Sequence, residues 1–238
     1  MNAMDNLKVK IYADGADRDG MLEMYAKPYI QGFTTNPTLM KKAGITDYKA
    51  FAHEILQAIP DRPISFEVFA DEFSDMERQA LEIKAWGENV YVKIPVSNTR
   101  QEMAYDLIAR LCGAGVHLNV TAILTLDQVQ NVADALKDGP DSIVSVFAGR
   151  IADTGLDPVP VMQEALTLLK VAPKAELLWA SPREVLNIYQ ADNIGCHIIT
   201  ATNDLIRKLA LGGKGHAEYS LETVQMFYDD AQSAGYTL

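Results

Sequence analysis

The amino-acid sequence predicts an α/β fold of the (β/α)8 TIM-barrel class with an additional C-terminal helix. Short apolar runs alternate with longer amphipathic stretches from one end of the 238-residue chain to the other. Eight such β-then-α units fit into roughly 210 residues, a length typical of this barrel. A doubly wound open sheet is the second choice. Its Gly-rich phosphate loop is missing after the first strand, where the chain reads Asp14-Gly-Ala-Asp-Arg18.

The eight predicted strands are short runs of apolar and β-branched residues, and the segments between them show the wider apolar spacing of amphipathic helices. The strands are residues 8–14, 32–36, 64–70, 89–95, 117–124, 142–148, 175–181 and 196–202. The helices are about residues 16–28, 38–59, 74–86, 98–114, 126–137, 157–171, 182–191 and 203–212, with a last one near 218–234. We expect one domain over residues 1–238, with about 216–238 as a C-terminal helical extension.

Three of these helices begin with a sequence signal for a helix N-terminus. A side-chain oxygen at such a position accepts a hydrogen bond from a backbone N–H of the first turn, and proline suits the first helical position. The signals are Asn36-Pro37, Ser74 with Glu77, and Ser181-Pro182 with Glu184. Each supports the helix that follows it.

Charge, hydropathy and cysteine content argue against several classes of protein. The formal net charge of −11 disfavours a nucleic-acid partner. The sequence has no apolar run of membrane-spanning length and no secretion signal at its start, so we expect a cytoplasmic protein without a membrane partner. Cys112 and Cys196 form neither a CxxC pair nor a disulfide framework, and the four histidines lack metal-site spacing. We therefore expect no metal.

Polar residues occur at or near the carboxyl ends of seven predicted strands, which is where barrel enzymes carry their active sites. One polar group at a strand end is usually structural, since buried polar groups find hydrogen-bond partners within the fold. Seven strands with such a residue at the same end instead predict an active site. The residues are Asp14, Asn36, Glu67, Lys93, Asn119, Thr121, Ser145 and Ser181.

Lys93 is the most unusual of these residues. Side chains alternate along a strand, so Val90, Val92 and Ile94 share one face while Tyr91 and Lys93 share the other. A lysine aimed into a protected interior has its charged form disfavoured, and a neutral amine can attack a carbonyl to form a Schiff base. The alternative from the residues alone is a surface lysine at a strand end.

Four segments together resemble the transaldolase family, and specifically its short members, which include fructose-6-phosphate aldolase. They are Gly32-Phe-Thr-Thr-Asn-Pro-Thr-Leu39, Val92-Lys-Ile-Pro-Val96, Leu118-Asn-Val-Thr-Ala122 and Val146-Phe-Ala-Gly-Arg-Ile151. The resemblance implies a class I aldolase barrel that needs no metal and no organic cofactor. It also implies a homo-oligomer, a pentamer or decamer, in which the C-terminal helix packs on a neighbouring subunit through residues such as Met226, Phe227 and Tyr228.

The same resemblance implies a role for each candidate residue. Lys93 would form the Schiff base with the C2 ketone of a ketose phosphate, and Asp14 would exchange the proton of the C4 hydroxyl. Glu67 and Thr121 would hold the water that carries protons during imine formation. The substrate-binding residues would be Thr35, Asn36, Asn119, Ser145, Phe147, Arg150, Ser181 and Arg183, with Arg150 on the phosphate.

Two positions separate the branches of this family, and three functions stay open. Glu67 and Phe147 are the transaldolase pair, where the aldolase branch has Gln and Tyr. This favours transfer of a dihydroxyacetone unit from a ketose phosphate, such as fructose 6-phosphate or sedoheptulose 7-phosphate, to an aldose phosphate. The alternative is a fructose-6-phosphate aldolase-type lyase on the same or a related ketose. A second alternative is a catalytically inactive barrel that binds sugar phosphates.

The seventh unit departs from the family pattern. Ser181-Pro182-Arg183 stands where the family has serine and phenylalanine followed by a basic residue. One interpretation is that Arg183 reaches the phosphate from the start of the helix at 182–191, where the helix dipole favours an anion. The alternative is that this segment marks a changed donor or acceptor. Trp179 shares a face with Ser181, so it either narrows the cavity or packs in the barrel.

Several of the candidate residues also have an ordinary structural interpretation. Asn36 could act as a helix cap as well as a binding residue, and Asn119 and Thr121 could be hydrogen-bonded polar groups of a barrel layer. Asp14 could cap a helix that starts near Ala16, a common use of aspartate. Arg150 could form a surface ion pair with Asp153.

Overall fold

The computed structural model describes residues 7–237, in which eight parallel strands close into a barrel. Each strand pairs with the next along the chain, and the last pairs with the first in parallel register. This confirms the predicted fold class. The strands are β1 (Lys10–Asp14), β2 (Ile30–Thr34), β3 (Ile64–Glu67), β4 (Val90–Pro95), β5 (Leu118–Ile123), β6 (Ser142–Val146), β7 (Ala175–Trp179) and β8 (Ile198–Thr202).

Nine of the described helices lie between strands in sequence, and a short and a long helix follow the last strand. They are α1 (Arg18–Tyr25), α2 (Pro37–Lys42), α3 (Tyr48–Ala58), α4 (Phe73–Lys84), α5 (Tyr105–Gly113), α6 (Leu126–Leu136), α7 (Ala148–Asp153), α8 (Pro158–Leu168), α9 (Leu186–Asn193), α10 (Asn203–Arg207) and α11 (His216–Ser233). Short 3-10 turns extend α8 and α10, at Leu169–Val171 and Lys208–Leu211. In the described chain, no helix is long and apolar enough to cross a membrane.

The strands divide their side chains between two cores. On β4, Val90, Val92 and Ile94 belong to the large core between the strands and the helices. Tyr91 packs against the smaller cluster inside the barrel, and Lys93 is only 7% exposed. The alternation predicted for this strand is confirmed, and it aims the lysine away from the helix layer.

The interior cluster is built around an aromatic ring and a glycine on neighbouring strands. Tyr12 packs there with Ile143, Leu178 and Ile198. A Cβ atom at Gly32 on β2 would lie 2.5 Å from the Tyr12 ring, closer than real Cβ contacts allow. The glycine therefore leaves the space that the ring fills at the bottom of the barrel.

Several predicted helices are shorter or divided. The predicted helix at 38–59 is two helices, because the chain turns at Gly44 with a left-handed φ of 73°. The predicted helix at 98–114 begins only at Tyr105. The Asn98 side-chain oxygen accepts hydrogen bonds from two backbone N–H groups and folds the preceding residues into a loop. Helix α7 was not predicted: its first residue, Ala148, was assigned to the sixth strand, and residues 149–153 were assigned to the connection that follows.

One of the three predicted helix starts is confirmed. Asn36 caps α2 by accepting a hydrogen bond from the Leu39 N–H, with proline at the first helical position. The start at Ser74 is wrong, because α4 already begins at Phe73. The start at Ser181 is also wrong. Its φ is 61°, outside the extended conformation of a cap, and α9 begins only at Leu186.

Candidate active site

A cavity of about 490 Å³ opens at the carboxyl ends of the strands. It is the place where the sequence predicted an active site, and most of the candidate side chains meet there. The candidates that line it are Asp14, Asn36, Glu67, Lys93, Asn119, Thr121, Ser145, Phe147, Arg150 and Ser181. Thr35 and Arg183 do not line it.

Lys93 lies in the wall of this cavity, between two polar neighbours. Strand register places Glu67 beside it on β3 and Asn119 beside it on β5. Its Nζ is 3.3 Å from Glu67 Oε2 and donates a hydrogen bond to the Thr35 carbonyl oxygen at 3.0 Å. The amine is therefore held at a fixed point and has a carboxylate within reach to accept a proton from it.

Thr35 contributes through its backbone rather than through its side chain. Its hydroxyl is completely buried and donates to the Ser65 carbonyl oxygen at 2.8 Å. The substrate-binding role expected for this side chain therefore does not fit the geometry. The residue instead helps to hold Lys93.

Thr121 is one strand beyond Lys93, and its hydroxyl is an exception among buried polar groups. The side chain is 2% exposed, and within residues 7–237 its Oγ1 has no hydrogen-bond partner. Ala122, the next residue, has a left-handed φ of 62° at a register shift between β5 and β6. An unpaired hydroxyl in a polar cavity, beside a strained backbone, is characteristic of a functional site.

Asp14 ends β1 on the opposite side of the cavity. Its carboxylate accepts a hydrogen bond from the Thr34 hydroxyl at 2.7 Å. Burial raises the pKa of Asp14, and the positive charge of Lys93 and the Thr34 hydrogen bond oppose that rise. Asp17, not Asp14, caps α1. Asp14 is therefore free of the capping role and is suited to proton transfer.

Asn119 is fixed by a chain of buried hydrogen bonds. Its Nδ2 donates to Ser65 Oγ at 2.9 Å, and Ser145 Oγ donates to its Oδ1 at 2.6 Å. All three side chains are at most 2% exposed. Because the Ser145 hydrogen is already committed to Asn119, its oxygen can act toward the cavity only as an acceptor.

Asn36 combines a structural and a cavity-lining position. Its side-chain oxygen is committed to the Leu39 N–H at 2.9 Å, which fixes the plane of the amide. The amide nitrogen is then the part that is available for a hydroxyl in the cavity. The geometry of Asn36 is therefore compatible both with a helix cap and with a substrate-binding residue.

Two arginines lie near the outer mouth of the cavity, and they differ in their contacts. Arg150 lines the cavity, with its guanidinium carbon 5.6 Å from the centre of the Phe147 ring. Arg183 lies before α9 and donates from Nε to Asp153 Oδ1 at 2.9 Å. The hydrogen bond and the positive charge of Arg183 lower the pKa of Asp153, and the charge of Arg150 lowers it to a smaller extent. The ion pair considered for Arg150 is thus made by Arg183.

The loop after β7 packs tightly against the start of α7. A Cβ atom at Gly149 would lie 1.6 Å from the Ser181 carbonyl oxygen, and the Gly149 N–H donates to the Ala180 carbonyl oxygen at 3.2 Å. This contact brings Ser181 and Arg150 to the same mouth. Trp179 is fully buried on the helix side of β7, so it does not narrow the cavity.

Three threonines of the cavity wall, Thr34, Thr38 and Thr200, were not among the predicted site residues. Thr34 ends β2 beside Asp14, and Thr200 lies on β8, the strand for which no polar candidate was named. This strand reads Ile198-Ile-Thr-Ala-Thr202, and the threonines toward its carboxyl end were the available signal. In the described residues, no group of three or more His, Cys, Asp or Glu side chains is placed to hold a metal ion.

Comparison with known proteins gives one consistent result. A family model described as transaldolase/fructose-6-phosphate aldolase matches residues 11–238. A protein of Dehalococcoides mccartyi named a probable transaldolase is 30% identical over 202 residues, which are 84% of this chain and 90% of that protein. A protein of Methanococcus maripaludis with the same name is 32% identical over 202 residues, 84% and 89% of the two chains.

Comparison with solved structures supports the fold alone. The 3-keto-L-gulonate-6-phosphate decarboxylase of Vibrio cholerae superposes with a TM-score of 0.55 at 12% identity. The match covers 86% of this chain and 97% of that one. At this identity the likeness supports the barrel and carries no information on the reaction.

Proposed function

Because this chain belongs to the transaldolase/fructose-6-phosphate aldolase family, we propose that it transfers a dihydroxyacetone unit from a ketose phosphate to an aldose phosphate. The proposal depends above all on Lys93. Lys93 is 7% exposed, its amine is 3.3 Å from the Glu67 carboxylate, and Arg150 lines the same cavity. A nucleophile with a base beside it and an anion-binding group in the same cavity suits a phosphorylated ketone.

The reaction begins with attack of the neutral Lys93 amine on the C2 ketone. The Lys93 ammonium has first given one proton to the Glu67 carboxylate. After the attack the nitrogen gives a second proton to the C2 oxygen, Glu67 returns the first, and the oxygen leaves as water. The Glu67 carboxylate is close enough to take part, and the unpaired Thr121 hydroxyl can bind a water molecule between them. The product of this step is a protonated imine on Lys93.

The second step breaks the C3–C4 bond. Asp14 takes the proton of the C4 hydroxyl, C4 becomes the aldehyde of the first product, and the electron pair of the broken bond moves to the imine nitrogen. The result is an enamine on Lys93. An acceptor aldehyde then reacts with C3 of this enamine, its oxygen takes the proton back from Asp14, and hydrolysis of the new imine frees the product.

The remaining polar side chains hold the substrate. Asn36, Asn119 and Ser145 lie around the part of the cavity that the three-carbon unit would occupy. Ser145 accepts a hydrogen bond there because its own hydrogen goes to Asn119. Arg150 binds the phosphate, with Ser181 beside it, since a guanidinium matches phosphate oxygens.

Transfer is favoured over release of free dihydroxyacetone by the side chain at Phe147. This ring lines the cavity and carries no hydroxyl, so it cannot protonate the enamine carbon. The enamine therefore waits for an aldehyde. The lyase reaction is the second candidate, because the same lysine serves both reactions, and it would release dihydroxyacetone without an acceptor.

Borohydride trapping tests this function directly. The protein is incubated with fructose 6-phosphate and borohydride, with and without erythrose 4-phosphate, and its peptides are analysed by mass spectrometry. We expect a three-carbon adduct on Lys93 that is lost when erythrose 4-phosphate is present. An adduct that persists unchanged with the acceptor would favour the lyase, and its absence with a panel of ketoses would exclude both reactions.

Two lysine variants control this experiment. Lys93→Met should lose the adduct and the activity together. Lys10→Met removes a lysine at the other end of the barrel, where Lys10 pairs with Glu176 at 2.8 Å, and it should keep the adduct. Unchanged activity in Lys93→Met would remove both Schiff-base reactions together. The inactive sugar-phosphate-binding barrel would instead be supported if the unsubstituted protein bound ketose phosphates but gave neither adduct nor activity.

We also propose that the protein is a cytoplasmic homo-oligomer held together in part by α11. In the described chain, no side chain of α11 is buried. Its exposed residues include the large apolar side chains of Met226, Phe227 and Tyr228, which are 51%, 63% and 60% exposed. A second copy is the partner that the family relationship favours. Phe227→Asp should lower the mass measured by light scattering, and an unchanged mass would count against this surface.

A further inference from the structure

The cavity wall formed by β1, β2 and β8 contains a chain of three polar side chains. Thr34 Oγ1 donates to Asp14 Oδ1 at 2.7 Å, and Thr34 Oγ1 lies 2.5 Å from Thr200 Oγ1. Both hydroxyls are buried, with exposures of 2% and 6%. The proposed mechanism uses only Asp14, so the function of the two threonines is open.

The direction of this chain follows from the number of hydrogens. An ionised carboxylate can only accept, and each threonine hydroxyl has one hydrogen to donate. Thr34 gives its hydrogen to Asp14, so the hydrogen between the two hydroxyls must come from Thr200. When Asp14 carries a proton it can donate instead, and rotation of the two hydroxyls reverses the chain. The arrangement therefore suits both protonation states of Asp14.

The surroundings of Asp14 make these hydrogen bonds important. Burial raises the pKa of this carboxyl group, and the charge of Lys93 and the Thr34 hydrogen bond are the influences that lower it. A donor that itself accepts a hydrogen bond is polarised and donates more strongly. The charged groups that line this cavity and the adjoining one are Lys93, Glu67, Arg150, Lys42, Asp17 and Asp204.

We propose that Thr200 is a positioning residue that acts through Thr34 to orient the Asp14 carboxylate and to set how readily it accepts a proton. Thr200 fixes the direction of the Thr34 hydroxyl, and that hydroxyl in turn stabilises the ionised carboxylate. The role in turnover rests on the proposed function. The effect on Asp14 itself does not, because it exists without substrate.

The test is a carbon-13 NMR titration of labelled aspartate carboxyls in the substrate-free protein, with the Asp14 signal assigned from Asp14→Asn. Thr34→Val removes a hydrogen bond to a charged group and should raise the pKa of Asp14 by about one unit. Thr200→Val removes only the polarising partner and should raise it by about 0.3 unit. In the Thr34→Val background, Thr200→Val should add nothing.

Two further variants control the titration. Thr200→Ser keeps the hydroxyl and should restore the native pKa of Asp14. Thr202→Val changes an exposed threonine two residues along the same strand and should leave it unchanged. Thr200→Ala replaces Thr200→Val if the latter does not fold. Any of three results would overturn the inference. The pKa of Asp14 does not shift in Thr200→Val, the shift persists when the Thr34 hydroxyl is absent, or Thr202→Val shifts the pKa equally.

A second measurement separates this inference from the proposed function. The transfer reaction needs ionised Asp14, so a raised pKa should move the acid limb of the kcat/KM profile in Thr200→Val to higher pH by the same amount. If the titration shifts but no sugar phosphate reacts, the proposed function fails and the inference stands. If transfer occurs and neither quantity moves, the inference fails and the function stands.

Discussion

Gly149→Ala should damage both the stability of the protein and its affinity for phosphorylated substrates. The added Cβ atom would lie 1.6 Å from the Ser181 carbonyl oxygen, and real Cβ contacts essentially never fall below 3.0 Å. The loop after β7 must therefore retreat by roughly 1.4 Å, the difference between those two distances. Forced overpacking of this kind costs about 1–3 kcal/mol. Ser181 already has a left-handed φ of 61°, so the loop has few alternative conformations.

The effect should be visible in two assays. In urea denaturation, the free energy of unfolding should fall by about 2 kcal/mol relative to the native sequence. The KM for a ketose phosphate should rise because Arg150 and Ser181 lose their relative positions, while the KM for the unphosphorylated ketose should change little. The matched control is Gly113→Ala, at the end of α5, where a Cβ atom meets nothing within 4 Å. Unchanged stability and KM in Gly149→Ala would refute the reasoning.

Three further predictions follow from the site and the core. Glu67→Gln combined with Phe147→Tyr should raise the release of free dihydroxyacetone relative to transfer, measured by enzymatic assay of the product; no gain would contradict the account of the branch difference. Asp14→Asn should lower kcat by about 10²–10⁴. The same variant should also raise Tm at neutral pH. Because burial raises the pKa of Asp14, the stability that this group contributes at low pH is lost as the pH rises through its folded-state pKa, and an uncharged asparagine avoids that loss. Burial raises the pKa of Cys196 to about 12, so iodoacetamide should label this thiol only after unfolding; rapid labelling of the native protein would show that the thiol is accessible.

Strand-based features of the site could be predicted from the sequence because they depend on local rules. The period of two along β4 separates Lys93 from Val92 and Ile94, and the structure has this separation. The carboxyl ends of all parallel strands meet at one mouth in a barrel, so polar strand ends converge wherever the barrel closes. Asp14, Glu67, Lys93 and Asn119 could therefore be grouped before any distance was known.

Loop geometry could not be predicted in the same way. Ser181-Pro182 has the composition of a helix start, but the contact with Gly149 holds Ser181 in a left-handed conformation and delays α9 to Leu186. Trp179 was expected to share a face with Ser181 and so either to narrow the cavity or to pack inside the barrel. The left-handed turn breaks that phase, and the indole packs on the helix side.

The sequence by itself determined the barrel, the phase of strands such as β4 and the choice of Lys93 as the candidate nucleophile, because periodicity and side-chain chemistry are properties of single segments. Only the tertiary structure decided which partners each group has. Asp153 pairs with Arg183 instead of Arg150, Thr34 links Thr200 to Asp14, and Thr121 is left without a partner among the described residues. Each of these depends on distances between strands or loops that are far apart in the chain, and the register and packing that set those distances exist only in the closed barrel.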